Sequence, residues 1–288
     1  MSILVHKAGI NKTLSQKSDY LEGTSTVPRT DSDGWRDSLV GEFLAGSGLS
    51  GSGGDIWGNS ISGQNDLRVF NGLVLNSSSV PYHASFDGTN DYIWNTSTGY
   101  GGNPFTVDLS MDFTIGFWVR TNFLHGFYNA TVCVQNSSGG FLASEILNDG
   151  RWNVRASGAT TGPGGATGGA TTKLSFSLSS DTWHYLSISH ARFPTLAYVY
   201  IDGIFHAHFR PSYASGDWDS GGKNLGFGHD ILGNSGNIAS NPALEVAKIY
   251  VWNRYWGASQ HRHMFLGQAA GAGIHDLNPH FGPTRTTT

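Results

Sequence analysis

From Ala84 onward the chain repeats one pattern: short runs in which apolar and polar residues alternate, each closed by Gly, Asn or Asp. An alternation of period two puts one set of side chains on each face of a pleated strand, so the pattern demands antiparallel sheets with a buried face. Asp112 to Thr121 is the clearest run, with Phe113, Ile115, Phe117 and Val119 on one face and Thr114, Gly116, Trp118 and Arg120 on the other. Trp183 to Ser189 alternates more weakly. Leu196 to Ile201 is apolar on both faces and ends in Asp202-Gly203, a strong hairpin signal, with Ile204 to Phe209 as the returning strand. Arg151 to Ala156, Lys173 to Leu178 and Leu244 to Trp252 read as further strands. The Gly/Thr/Ala stretch from Ser157 to Thr172 reads as a mobile loop.

Composition narrows the architecture. Charged residues are 13% of 288, about half the roughly 25% of ordinary soluble chains, and there are 40 glycines. With 21 acidic and 17 basic residues the chain lacks the regular charge spacing of long helices and coiled coils, so helix is expected for a turn or so. Its apolar and aromatic content excludes global disorder. No internal repeat suggests a propeller or solenoid, which leaves a β-sandwich or barrel. Residues 1–35 are polar and aperiodic and read as an N-terminal arm, 36–266 as the sandwich, and 267–288 as a C-terminal extension. The glycines and serines of Gly46 to Gly54 read as a surface loop between short strands.

The formal charge of −4 without a Lys/Arg cluster speaks against nucleic acid as a partner. No run approaches the roughly 18 apolar residues of a membrane span. Met1 to Lys12, interrupted by His6 and Lys7, does not read as a signal peptide. Cys133 is the sole cysteine, so no internal disulfide can form; in the run Thr131-Val132-Cys133-Val134 it reads as a small core residue of a chain folded in a cytoplasm.

Several segments, in order, resemble the concanavalin A-like sandwiches, particularly the laminin-G-like branch. Ala84-Ser85-Phe86-Asp87-Gly88-Thr89-Asn90-Asp91-Tyr92-Ile93 is similar to the family's aspartate-glycine hairpin. Asp112 to Val119 resembles its aromatic-tryptophan-valine strand. Trp183-His184 followed by Tyr198-Val199-Tyr200-Ile201-Asp202-Gly203 resembles its tryptophan-histidine strand and closing hairpin. Val246 to Arg254 resembles its final strand, with Ser259-Gln260 where a short helical turn is expected. The polar opening, Asp55, Asn59, Asp66 and Asn71-Gly72, has the same look. The resemblance implies an all-β jelly roll of two antiparallel sheets. It implies no activity, because the fold carries lectins, adhesion modules, hydrolases and virion proteins. His184 is by resemblance a structural position.

Retaining glycosidases need two carboxyls roughly 5–5.5 Å apart. The chain has four glutamates, Glu22, Glu42, Glu145 and Glu245, and lacks the family's glutamate-x-aspartate-x-glutamate pattern. Glu145 and Asp149 on an extended strand would stand about 13 Å apart at their α-carbons, too far for such a pair. No nucleophile-elbow motif is present. A non-enzymatic role is therefore expected. Asp217, Asp219 and Asn224 could surround calcium, the one candidate cofactor, or could form turns bonded to their own backbone, which is the simpler reading. Asp87, Asn90 and Asp91 carry the same two readings. His206 and His208 share a strand face, and His261 and His263 flank Arg262; neither pair has a second ligand type at metal spacing, and both read as surface histidines.

Aromatic rings beside Gly/Asn/Ser loops are the remaining clue, because flat rings stack on sugars and anchor protein interfaces. Trp57, Trp94, Tyr100, Trp152, Tyr213 and Trp218 are the candidate glycan contacts, whereas Trp118 and Trp183 read as core. The expected role is a bacteriophage virion protein, a capsid decoration, fibre or tail component assembled in the host cytoplasm. Its arm would bind other virion proteins and its sandwich would face cell-surface polysaccharide, with homo-oligomerisation a further expectation. The alternative is a free extracellular lectin, with a polysaccharide hydrolase a distant third.

Overall fold

The computed structural model describes residues 5–7, 10–12, 38–45, 56–61, 66–70, 73–76, 81–87, 91–94, 112–121, 129–135, 141–146, 149–156, 172–192, 196–210, 224–227 and 244–271. Among them lie two large antiparallel sheets. Numbered in chain order, the first sheet runs β13 (Thr172–Ser177), β12 (Arg151–Ala156), β11 (Phe141–Ile146), β10 (Asn129–Gln135), β17 (Asn224–Phe227), β8 (Tyr92–Trp94), β5 (Leu67–Phe70) and β4 (Ile56–Trp57). The second runs β16 (Ile204–Phe209), β15 (Leu196–Ile201), β14 (His184–Ala191), β9 (Phe113–Arg120), β18 (Glu245–Trp252), β7 (His83–Ser85) and β6 (Val74–Asn76). β3 (Leu39–Leu44) joins this second sheet on β18, in line with β7. β1 (Val5–Lys7) and β2 (Ile10–Lys12) pair only with each other, apart from both sheets.

The alternation read from the sequence explains the core. Phe113, Ile115, Phe117 and Val119 point between the sheets, where they meet Leu186, Ile188, Val246, Ile249 and Val251 of their own sheet and Leu67, Val69, Ile93, Ile146 and Val154 of the facing one. The hairpin signal is also met: Asp202 and Gly203 both take positive φ, 53° and 73°, and join β15 directly to β16. Asp202 holds the hairpin to β14. One carboxylate oxygen accepts the Tyr185 N–H at 2.9 Å and the other lies 2.9 Å from His184 Nδ1. Because the Ser179 N–H donates to His184 Nε2 at 3.1 Å, the ring proton sits on Nδ1 and is given to Asp202. Mobility of Ser157 to Thr172 concerns a stretch that, but for its last residue, lies outside the described residues.

The outer face of the second sheet carries a second core. Trp118, Trp183, Tyr185, Ala247, Tyr250 and Trp252 are covered by Trp256 and by Met264 and Phe265 of a helix, α1 (Ala258–Gly271). The turn expected at Ser259-Gln260 is thus a helix that reaches Gly271. The sequence gives little periodic signal here; among the described side chains of the helix, His261, Met264 and Phe265 form the inward stripe, at the i, i+3, i+4 spacing of one helix face. A helix this short is marginal alone and is stabilised by packing. Phe265 stacks on Trp118 with ring centres 5.7 Å apart, and Trp256 meets Trp252 at 4.1 Å. Gly116 lies beneath the Tyr185 ring, which a Cβ at that position would strike.

His261 corrects a second expectation: it is fully buried beneath α1, not a surface residue. Its neighbours fix every hydrogen. The Thr114 hydroxyl donates to the Arg254 carbonyl at 2.8 Å and accepts the Trp256 N–H at 3.1 Å. Its one hydrogen is thereby used, so Ser189, 2.8 Å away, must donate to Thr114 and accept from His261 Nε2–H at 2.7 Å. His261 Nδ1 then accepts the Ser187 hydroxyl at 3.0 Å. With Tyr200 stacked on the ring at 3.9 Å, a neutral imidazole is fully satisfied, and burial pushes its pKa down to about 3.

Candidate functional site

At one end of the second sheet, register brings three polar residues into a row across neighbouring strands: Ser85 opposite Glu245, and Glu245 opposite Arg120. None is near another in sequence. All three point away from the inter-sheet core, because Ala84, Val119 and Val246 alternate with them and face inward. They line an open cleft of about 300 Å³, closed at its sides by Phe86, Thr121, Asp181 and Leu244. Backbone bonds hold the walls together: the Phe86 N–H donates to the Leu244 carbonyl and the Asp181 N–H to the Thr121 carbonyl, each at 2.9 Å. Asp181 takes a left-handed φ of 53°, a conformation aspartate tolerates better than most side chains, and so turns the chain into β14.

The charges in the cleft are partly spoken for. Arg120 forms an ion pair with Glu245 and lies over the Trp183 ring, 5.3 Å from its centre. Behind Glu245, buried His83 donates from Nδ1 to the Pro81 carbonyl at 2.9 Å and holds Nε2 3.5 Å from the carboxylate. Serine, histidine and glutamate thus stand close together, but one imidazole nitrogen serves Pro81 and the other faces Glu245.

The residues singled out in the sequence fare differently. Trp57 and Trp152 are fully buried between the sheets and are corrected from candidate sugar contacts to core. Their flanking Asn and Gly residues suggested loops, yet Trp152 and Val154 alternate inward on β12, and Trp57 sits on β4 opposite Leu67. Trp118 and Trp183 are core as expected. Trp94 belongs to β8, and nothing of its side chain is described. Tyr100, Tyr213, Trp218, Asp217 and Asp219 lie outside the described residues. Asn224 opens β17 opposite Gln135, in a strand. Asp91 is buried and accepts the Asp87 N–H at 2.9 Å, as the turn reading requires, and burial raises its pKa. Asp149 is held by Arg151 at 2.6 Å, and this bond lowers its pKa. No group of three potential metal ligands occurs among the described residues.

Exposed rings among the described residues lie elsewhere: Tyr82 beside β7, and a group on the outer face of β15 and β16. Tyr198 stands 5.9 Å from His208, 6.3 Å from Phe205 and 5.2 Å from Tyr255, and Phe205 is 44% exposed. Alternation placed Tyr198 on the face opposite Val199. The bulge between Val199 and Tyr200, which brings Phe205 and His208 to the same side, had no local signature.

The sequence matches no protein-family model and no curated protein. Among solved structures, the botulinum neurotoxin serotype D/C VPI 5993 binding domain superposes with a TM-score of 0.55 at 16% identity, over 80% of this chain and 52% of that one. The binding domain of botulinum neurotoxin DC in complex with rat synaptotagmin II gives 0.52 at 13%, over 80% and 51%. The Trypanosoma rangeli sialidase in complex with sialic acid gives 0.60 at 16%, over 90% and 38%. The chain thus spans about half the length of the binding domains it matches. At these identities the likeness shows the fold, a lectin-like β-sandwich.

Proposed function

We propose that the chain is a non-catalytic recognition module that binds a cell-surface glycan and is carried on a virus particle as a laminin-G-like component of its capsid, fibre or tail. The observation that carries the recognition reading is the rim cleft. It gathers a guanidinium, two carboxylates and two hydroxyls at the edge of the sandwich. The neighbours support binding, since two are binding domains, one of them in complex with rat synaptotagmin II, and the third, a sialidase, is in complex with sialic acid. The particle reading rests on a single cysteine in 288 residues and on a polar N-terminal arm whose β1–β2 pair stays apart from both sheets.

Deletion of residues 1–35 is expected to abolish copurification with density-gradient-purified particles while leaving the sandwich folded by circular dichroism. Undiminished incorporation of the truncated chain would refute the docking role of the arm. Full-length chain found only in the soluble fraction would favour a free lectin.

A further inference from the structure

We propose that the rim cleft takes one neutral, hydroxyl-rich sugar residue and turns away acidic sugars; this specificity rests on the recognition reading above. A volume of about 300 Å³ sits at the small end of ligand pockets and suits a single ring, not a chain. Its lining suits a molecule whose groups both donate and accept. Asp181 and Glu245 only accept, Arg120 only donates, and the Ser85 and Thr121 hydroxyls do either. Adjacent sugar hydroxyls can give a hydrogen to a carboxylate and receive one from the guanidinium or a hydroxyl. Phe86 and Leu244, otherwise buried in the inter-sheet core, add only a small apolar edge to the lining.

Charge decides between sugar classes. The Arg120 cation is neutralised by Glu245, so it is not available to a ligand carboxylate without breaking that pair. Asp181 brings a second negative charge, exposed and bonded to the Ser180 hydroxyl at 2.9 Å. Two carboxylates against one guanidinium leave the lining at −1, which repels a uronate, sialate or sulfate. The same guanidinium, part of the lining, disfavours a bare metal ion.

The test is calorimetric titration of the full chain at about pH 8, where an ordinary imidazole is neutral, with neutral glycans and with sialylated, uronate-bearing and sulfated ones. The wild-type chain is expected to bind within the neutral set alone. Asp181→Asn, which keeps a side chain that tolerates positive φ, is expected to weaken neutral binding by about tenfold, the loss of one charge-assisted hydrogen bond. Glu245→Gln frees Arg120 and is expected to admit acidic glycans. An unchanged thermal midpoint of Asp181→Asn separates lost binding from lost fold. Acidic glycans bound as well as neutral ones by wild type overturn the specificity. Neutral binding unaltered in both variants overturns the cleft as the site while leaving recognition intact, and binding of neither class overturns both together.

Discussion

Gly203→Ala is expected to destabilise the chain by about 2–4 kcal/mol, combining the cost of a left-handed alanine with that of overpacking. Gly203 holds a φ of 73° in the turn between β15 and β16, where an added Cβ is strained whatever the space. There is no space either. That Cβ would lie 2.8 Å from Arg262 Cα, 2.9 Å from the His261 carbonyl oxygen and 2.9 Å from Phe265 Cβ, so α1 rests directly on the hairpin. Two of those atoms are backbone and cannot rotate away. The substitution must lift the helix from Trp118 and Tyr185 or distort the turn that Asp202 anchors. Gly257→Ala is the control, since its Cβ would meet Gln260 Oε1 at 3.4 Å, an ordinary contact. Urea denaturation of both variants checks this, and equal midpoints for the two would contradict the packing of α1 on the turn.

Acid is expected to weaken the fold through His261. The ring is neutral in the folded chain, with its pKa pushed down to about 3 by burial, whereas the unfolded chain binds a proton near the ordinary 6.5. The unfolded state therefore takes up more protons between these values, and stability falls as pH drops through 6.5 toward 3. Between about pH 7 and pH 5 this one group removes about 2 kcal/mol. His261→Gln keeps a donor and an acceptor beneath α1 but cannot titrate, so the stability of that variant is expected to vary less with pH by that amount. Equal pH slopes for the two chains would show that the imidazole is not held neutral by its serine partners.

β9 was legible because its core and outer residues alternate, and β15 and β16 because an apolar run ends in Asp-Gly, which readily adopts two positive φ values. β3 was not: Leu39 and Phe43 are buried, but the run adjoins a polar arm and contains buried Glu42. α1 was hidden for a related reason. Gln260, Arg262 and His263 flank His261 and mask the first residue of the stripe that faces the sheet. Trp57 and Trp152 misled because neighbouring loop residues say little about where an indole points, whereas the pairing partner and the i+2 residue say much. The rim cleft had no sequence signal, since Ser85, Arg120 and Glu245 meet only through strand register, which depends on the whole sheet.

The assignment of the rim cleft as the recognition site stands or falls on where a sugar contacts the surface. Two-dimensional amide NMR of the labelled chain, titrated with a neutral methyl hexoside, is the most direct measurement. The expected result is a set of saturable shifts confined to Ser85, Phe86, Arg120, Thr121, Asp181, Leu244 and Glu245, the residues that line the cleft. Shifts clustered on Tyr198, Phe205 and His208 instead, or a spectrum unchanged to saturating sugar, would contradict it.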